Sequence, residues 1–176
     1  MNTLSTRRQR GVTLIEACIA LAITAVLLGA ALPPFRLAVE RRHLEGVAAQ
    51  LRTDIAHARS LAVARNESVR IGFASPSCYV VHTGPAGACQ CDADGNARCT
   101  GGGASLRTVH LDADGQVTLS SNRDSILFDG ARGTITPTGT VKITGRNGAA
   151  IHSVVNIMGR VRNCSPESAV PGYPAC

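Results

Sequence analysis

The C-terminal stretch NIMGRVRNC contains two arginines, Arg160 and Arg162, one residue apart and directly after Gly159. In a β-strand, residues i and i+2 project from one face about 6.6 Å apart. Two guanidinium groups at that separation would reach neighbouring phosphates of a polyanion, while Val161 would turn into the core. Glycine at 159 permits a bend or a close backbone approach. The motif is a candidate anion site, and its alternative is a solvated edge strand whose charges prevent sheet association.

Residues around this motif could enlarge or position it. Arg132, Lys142 and Arg146 lie in neighbouring predicted strands or turns and are candidates to extend the positive patch. A disulfide between Cys164 and Cys176 would close a short tail, hold the arginines near a rim and contribute about 3 kcal/mol. Aromatic residues make up 3% of the chain and tryptophan is absent. This composition favours sequence-independent binding of phosphates over stacking on bases.

Length and charge set weaker limits. The 176 residues allow one domain plus an appendage. The net charge of +6 includes three arginines that crowd the N-terminus, Arg7, Arg8 and Arg10. The remainder is mildly basic, which by itself indicates no partner. A functional positive region must therefore come from clustering of charges.

Six cysteines in a glycine-rich polar region predict disulfides and an oxidising compartment. They are Cys78, Cys89, Cys91, Cys99, Cys164 and Cys176, whereas Cys18 stands alone in an apolar run. Fifteen connectivities are possible, so the pairs among the first four stay open. Zinc is the competing interpretation of those four, but their spacing lacks a C-x2-C knuckle.

Other chemistry finds little support in the sequence. The motif DADG occurs at 92–95 and 112–115 and resembles calcium loops, but no glutamate follows at EF-hand spacing and Asp-Gly is common in hairpin turns. The histidines occur without an HExxH or G-x-S-x-G context; they are His43, His57, His82, His110 and His152. The sequence thus predicts turns at both DADG motifs and no enzymatic activity, metal or cofactor.

The N-terminus predicts a membrane segment. A basic patch precedes residues 12–32, which are apolar apart from Glu16. Twenty-one residues at 1.5 Å per residue match a bilayer core of about 30 Å, and the basic flank would stay cytoplasmic. A carboxylate there costs about 2.5–3.5 kcal/mol and needs a compensating partner. The alternative is a secretory signal peptide with a cleavage site at residues 29–31.

The segment RGVTLIE resembles the leader of type IV prepilins. The resemblance implies cleavage by a prepilin peptidase after Gly11, with methylation of the new N-terminus at Val12. It also implies that Glu16, the fifth mature residue, compensates the amino terminus of a neighbouring subunit during assembly. A purely structural anchor is the alternative role for this segment.

Four segments follow from these patterns: a leader at 1–11, a transmembrane and assembly helix at 12–34, an amphipathic helix at 35–66 and a β-rich part at 67–176. Apolar residues at i, i+3 and i+4 spacing indicate the second helix; they are Leu44, Val47, Leu51, Ile55, Ala58 and Leu61. Pro33 and Pro34 predict a kink or break before it. Strands are predicted at 68–73, 78–82, 105–111, 116–120, 125–128, 140–144 and 150–162, with a stapled loop at 83–103. One helix followed by strands predicts an α+β fold with antiparallel sheets.

Three longer segments resemble one branch of the pilin superfamily: LRTDIAHARSLAVARNESVRIGF, ILFDGARGTITPTGTVKIT and SVVNIMGRVRNC. They are similar to the minor pilins of the FimT/FimU type and to the H pseudopilin of type II secretion. The resemblance implies a type IV pilin fold, a minor pilin in the inner membrane with its C-terminal part periplasmic, and later a place in a surface fibre among other pilins. In the competence pilins of this branch a G-R-x-R motif binds double-stranded DNA, which here falls on Gly159–Arg162. A structural tip or priming pilin and a secretion pseudopilin are the alternatives.

Overall fold

The computed structural model describes residues 12–111 and 116–176, except the side chains of residues 30–34. Gly11 and the second DADG motif lie outside the described residues. The chain divides into two compact units, Met1–Ala38 and Val39–Cys176. The whole predicted β-rich part, including Arg160 and Arg162, belongs to the second unit.

Helix α1 comprises Leu14–Arg65 and is assigned without interruption through Pro33 and Pro34. A break at these prolines is therefore wrong, and the alternative of a kink stays a prediction. Proline holds φ near the helical value, so the backbone continues although two N–H donors are missing. Large apolar side chains of the first unit are exposed, among them Leu14, Leu21 and Val26. Within the described residues no helix contains a stretch both long and apolar enough to span a membrane. The transmembrane segment at 12–34 stays a prediction.

The part of α1 in the second unit is amphipathic. Its buried face contains Leu44, Val47, Leu51, Ile55 and Ala58 of the predicted pattern, whereas Leu61 is only half-buried. The helix ends where Asn66 takes a left-handed conformation with φ +48°. The amide of Glu67 donates to the carbonyl of Ala62 at 3.1 Å, which satisfies a terminal carbonyl of the helix.

Antiparallel sheets follow the helix and confirm the predicted α+β fold. The strands are β1 Val69–Ser75, β2 Cys78–Thr83, β3 Cys89–Cys91, β4 Ala97–Cys99, β5 Ser105–His110, β6 Val117–Ser121, β7 Ser125–Phe128, β8 Ile135–Thr136, β9 Gly139–Gly145, β10 Ala150–Val155 and β11 Val161–Cys164. One sheet has the order β5-β2-β1-β7-β8 and another β11-β10-β9-β6. The buried face of α1 and the inward faces of both sheets form one apolar core.

Two predicted segments differ from the structure. The predicted loop at 83–103 contains a small hairpin, β3 with β4, which is held by the disulfides Cys78–Cys91 and Cys89–Cys99. These bonds replace the zinc interpretation of the four cysteines. The predicted strand at 150–162 is wrong, because β10 and β11 are separate strands that pair with each other. A turn between them contains Gly159 and Arg160.

A buried polar cluster connects α1 to the five-stranded sheet. Asp54 is 2% exposed and accepts a hydrogen bond of 2.7 Å from the hydroxyl of Tyr79 on β2. Arg107 on β5 lies 3.0 Å from the other carboxylate oxygen of Asp54. Burial, followed by the hydrogen bond to Asp54, raises the pKa of Tyr79 far above its usual range. Because a buried carboxylate is costly without partners, this cluster specifies how the helix is turned on the sheet.

Candidate nucleic-acid interface

The turn between β10 and β11 is organised by Asn156. The Asn156 side-chain oxygen accepts hydrogen bonds from the amides of Met158 at 3.1 Å and Arg160 at 2.9 Å. The Asn156 backbone amide donates to the carbonyl of Arg160 at 3.1 Å. This local network competes with a continuous strand, as asparagine side chains commonly do in turns. It fixes the backbone from which Arg160 projects.

Gly159 has two reasons to be glycine. Its φ is +78°, in the left-handed region that residues with a Cβ rarely adopt. A Cβ at this position would also lie 2.9 Å from Cδ of Arg59 and 3.3 Å from Cδ1 of Ile135. The Nε of Arg59 in turn donates to the carbonyl of Gly133 at 2.8 Å. The helix therefore braces the turn through the stem of Arg59.

Arg160 and Arg162 are not neighbours on one regular strand, which corrects the predicted geometry. Arg160 precedes β11, whereas Arg162 lies within it, directly opposite Val154 of β10. Val161 between them is half-buried and packs against the core. Both arginines are exposed. The left-handed turn at Gly159 thus lies before both arginines and sets where β11 begins.

Both arginines line a groove of about 680 Å³ between α1 and the edge strand β11. We call it the arginine groove. Its lining consists of Ala49, Arg52 and Thr53 on the helix, residues 160–163, and Gly172, Tyr173 and Pro174 of the tail. Arg52 was missed as a site residue, because on sequence it looked like one of several arginines on the solvent side of an amphipathic helix. Its i+4 spacing from the buried Ala48 places it beside the buried face, but only the structure shows which strand lies opposite.

The arginines of the groove differ from others in their partners. Among the residues that the structure describes, no carboxylate lies within ion-pair distance of Arg52, Arg160 or Arg162. Arg41 and Arg98, by contrast, approach Glu45 and Asp92 at 2.8 and 3.1 Å. Three unopposed cations around one concave surface attract anions.

Lys142 and Arg146, two of the other predicted cations, lie at different places on the β9–β10 hairpin. Lys142 is exposed on β9 and pairs across the sheet with His152, whose own partner on β11 is Cys164. Burial first, and then Lys142, lower the pKa of His152. Arg146 lies in the turn that joins β9 to β10, at the end of that hairpin opposite to Val155 and the arginine turn. Lys142 therefore shares the sheet with Arg162, whereas the structure does not bring Arg146 to the groove.

Arg132 lies one residue before Gly133, the residue whose carbonyl accepts the hydrogen bond from Arg59. Its guanidinium is 3.9 Å from a carboxylate oxygen of Asp129, and its backbone amide donates to the other oxygen at 2.8 Å. The loop of Arg132 thus borders the residue that braces Gly159. Its charge is partly compensated by Asp129.

The C-terminal tail forms one side of the groove and is fixed at several points. A disulfide joins Cys164 to Cys176. The Ser165 hydroxyl donates to the carbonyl of Ala150 at 2.9 Å, and the Ser165 amide donates to the carbonyl of Pro174 at 2.9 Å. Arg41 of the helix donates to the carbonyl of Pro171 at 2.8 Å. These bonds hold residues 172–174 against the groove.

The first DADG motif forms a turn. A single carboxylate oxygen of Asp92 accepts from the amides of Asp94 at 3.1 Å and Asn96 at 2.8 Å, and Arg98 contacts the other oxygen. The hydrogen bond from Asn96 is the main reason why the pKa of Asp92 is lowered. Across residues 12–111 and 116–176, no group of three or more His, Cys, Asp or Glu side chains is arranged to hold a metal ion.

Residues of the predicted processing and assembly site are only partly described. Gly11 lies outside the described residues, and Val12 and Glu16 are exposed. The backbone amide of Glu16 lies 3.4 Å from the hydroxyl of Thr13.

An N-terminal helix followed by disulfide-held antiparallel sheets is the type IV pilin fold, and comparisons with known proteins agree. The type IV minor pilin FimU of Pseudomonas aeruginosa matches with a TM-score of 0.54 at 19% identity, covering 74% of this chain and 97% of that one. A second crystal form of FimU gives 0.51 at 17% identity, with 71% and 98% covered. The minor pseudopilin EpsH of Vibrio cholerae gives 0.48 at 11% identity, with 70% and 98% covered.

Family profiles identify the chain more closely. The family described as Type II transport protein GspH matches residues 47–159, and the prokaryotic N-terminal methylation motif matches residues 6–32. The chain belongs to the GspH family, and it is a type IV minor pilin or pseudopilin of the FimT/FimU/GspH type. The family and the fold are those of structural pilins. No curated protein matches the sequence significantly.

Proposed function

We propose that this protein is a minor pilin of a type IV pilus of the competence type and that it binds extracellular double-stranded DNA without sequence preference for uptake in natural transformation. Arg160 and Arg162 contact phosphates, and Gly159 allows the turn that precedes them. Lys142 and Arg132 extend the positive surface. DNA that approaches from solution meets exposed cations and few aromatic side chains, so affinity comes from the phosphate backbone.

The observation that carries this proposal is the arginine groove itself. Arg160 and Arg162 line a concave surface and have no carboxylate partner in the described part of the chain. Charged edge strands that only discourage aggregation require no concave site and no braced turn. A pair of exposed guanidinium groups on a fixed backbone suits recognition of phosphates, which accept from both N–H groups of the guanidinium fork.

The N-terminal residues have a separate role in the proposal. A prepilin peptidase cleaves after Gly11, Val12 becomes the methylated N-terminus, and residues 12–34 anchor the chain in the inner membrane before assembly with other pilins. Glu16 then compensates the amino terminus of a neighbouring subunit. Mass spectrometry of the mature protein tests the cleavage and methylation, and Glu16→Ala is expected to abolish incorporation into the fibre while leaving DNA binding by the purified protein unchanged.

The test of DNA binding uses full-length protein purified in detergent and a fluorescent duplex of 30 base pairs. We expect the double variant Arg160→Gln/Arg162→Gln to weaken binding at least about tenfold at low salt and to reduce the slope of log K against log [salt] by about two. Arg98→Gln, which removes an exposed arginine from the disulfide-bonded hairpin, is the matched control. Equal affinity of the wild type and the double variant, or no binding by the wild type at low salt, contradicts the proposal.

Membership in the GspH family supports a second candidate, a pseudopilin of a type II secretion system. A structural tip or priming pilin without a nucleic-acid role is the third. Transformation frequency, fibre assembly and protein secretion in a deletion strain distinguish the three. Loss of transformation with intact fibres supports the proposal, whereas loss of secretion alone supports the pseudopilin.

A further inference from the structure

Opposite the two arginines of the G-R-x-R motif, the helix contributes a second wall to the arginine groove. Ala49, Arg52 and Thr53 have i, i+3 and i+4 spacing, so they lie on one face of α1, and all three line the groove. Arg52 is exposed, although the buried Leu51 precedes it and the buried Asp54 follows two residues later. Among the described residues it is the one cation that the helix places in the lining.

The orientation of this wall is fixed by the core. Asp54, two residues after Arg52, is held by Tyr79 at 2.7 Å and by Arg107 at 3.0 Å. Because successive helical residues are separated by 100° of rotation, holding Asp54 also fixes the direction of Arg52. On the opposite side, the Asn156 turn holds Arg160 and the β10–β11 pairing holds Arg162. The groove is therefore a preorganised site with cations on both walls.

We infer that the arginine groove holds one phosphodiester strand between its two walls and that Arg52 is a third phosphate-contacting residue. The inference rests on the proposed DNA binding and adds the helix to the site. Small residues at the remaining positions of the helical wall, Ala49 and Thr53, leave room for the sugar-phosphate chain. The Thr53 hydroxyl already donates its proton to the carbonyl of Ala49 at 3.0 Å, so it does not donate to a bound phosphate. The bound strand is either one backbone of a duplex or a single strand, since both present the same phosphodiester chemistry.

Arg52→Gln tests the inference in the full-length protein, because Arg and Gln have similar helix propensity. Arg65→Gln is the matched control. Arg65 is also an exposed arginine of α1, but thirteen residues place it about 20 Å along the axis and about 140° around it. Binding is measured by fluorescence anisotropy with a 30-base-pair duplex and, separately, with a 30-nucleotide single strand, each across a salt series. Thermal unfolding of both variants shows whether the fold is retained.

We expect Arg52→Gln to weaken binding about three- to tenfold at low salt and to reduce the salt slope by about one, in at least one of the two DNA arms. Arg65→Gln should stay within about twofold of the wild type, and Arg52→Lys should recover most of the loss because a lysine still reaches phosphate. The arm with the larger loss identifies whether a duplex or a single strand enters the groove.

Three outcomes separate this inference from the proposed function. If Arg160→Gln/Arg162→Gln loses binding and Arg52→Gln does not, the helical wall is not part of the site and the proposed function stands. If Arg52→Gln loses binding and the double variant does not, the motif assignment falls and the helical wall stands. If the wild type fails to bind either DNA at low salt, both are overturned.

Discussion

Two arginine-containing regions lie on either side of the same turn of helix α1, and they differ in whether their charged side chains have partners of opposite charge. Asp54 faces the core, where Tyr79 and Arg107 satisfy its carboxylate. Arg52, two residues earlier, lines the arginine groove with Arg160 and Arg162, and none of these three has a carboxylate partner in the described chain. One region compensates every charge, and the other leaves three positive charges open to solvent.

The paired and the unpaired charges therefore have different roles. A buried carboxylate must be paired, so its partners determine how the helix packs and therefore contribute to stability. Exposed arginines are well solvated and gain little from pairing, so the absence of carboxylate partners has almost no effect on the stability of the fold. What it leaves is a site that an external anion can neutralise. Stability should therefore respond to changes in the first region, and DNA binding to changes in the second.

The largest expected effect comes from breaking the buried cluster. Asp54→Ala leaves the Tyr79 hydroxyl without an acceptor in the core and leaves Arg107 unpaired, so we expect the free energy of unfolding to fall by about 3 kcal/mol. Arg52→Ala, two residues away, should change it by less than about 0.5 kcal/mol. Urea unfolding followed by circular dichroism measures both. Equal losses of stability in the two variants would contradict the idea that Asp54 stabilises the fold while Arg52 does not.

Removal of single disulfides comes next, because one bridge holds the tail beside the groove and another lies in the small hairpin. Cys164→Ala/Cys176→Ala frees the tail that lines the groove, and Cys89→Ala/Cys99→Ala removes the bond between the two strands of the small hairpin, which Cys78–Cys91 still joins to β2. Their sequence separations of 12 and 10 are similar, so each pair should lose about 3 kcal/mol of stability. DNA affinity, measured below the unfolding transition of each variant, should fall severalfold in the tail variant alone. A loss of affinity in the hairpin variant would instead indicate a second contact region.

Gly159→Ala gives a smaller effect that separates backbone strain from contact. The left-handed φ of +78° alone costs about 1–2 kcal/mol for alanine. Gly148 has a similar φ of +82° but no atom within 4 Å of a Cβ, so Gly148→Ala measures the strain by itself. The additional loss at position 159 reports the contact with Arg59. If the two variants lose equal amounts of stability, the side chain of Arg59 moves aside without cost and does not brace the turn.

Features set by local periodicity could be predicted from the sequence. The apolar spacing of Leu51, Ile55 and Ala58 indicates the buried helix face, and short β-rich runs between turn residues indicate most strands within one or two residues of their ends. The α+β fold follows from their order. These signals work because the residues that create them are close together in the chain.

The rest depends on contacts between distant residues. Ile157 and Met158 are apolar like the strand before them, so residues 150–162 resembled one strand. The signal for a turn was the spacing of Asn156 from Gly159, since both residue types favour turns and left-handed backbone. Arg52 carried no such signal, because its role depends on the edge strand that packs beside it. A helical pattern gives the buried face, but not which sheet edge borders each flank.

The smallest effect concerns pH on the open sheet face, where Lys142 lies opposite His152. Burial and then Lys142 lower the pKa of His152 below its ordinary value of about 6.5. The unfolded chain therefore binds more protons in mildly acidic solution, so the contribution of His152 to stability is present above about pH 6.5 and is lost as the pH falls through its folded pKa.

Lys142→Met removes the second cause and should raise the pKa of His152 part of the way toward its ordinary value. Its melting temperature should then decrease less than that of the wild type between pH 7.5 and pH 5, and NMR titration of the His152 ring gives the pKa directly. DNA bound across this face places phosphates near the imidazole and should raise the same pKa in the wild type. An unchanged pKa on saturation with DNA would confine the contact to the arginine groove and exclude Lys142 from it. The titration thereby shows whether the DNA-contacting surface extends from the arginine groove to Lys142. Stability measurements cannot show this, since exposed charges contribute little to stability.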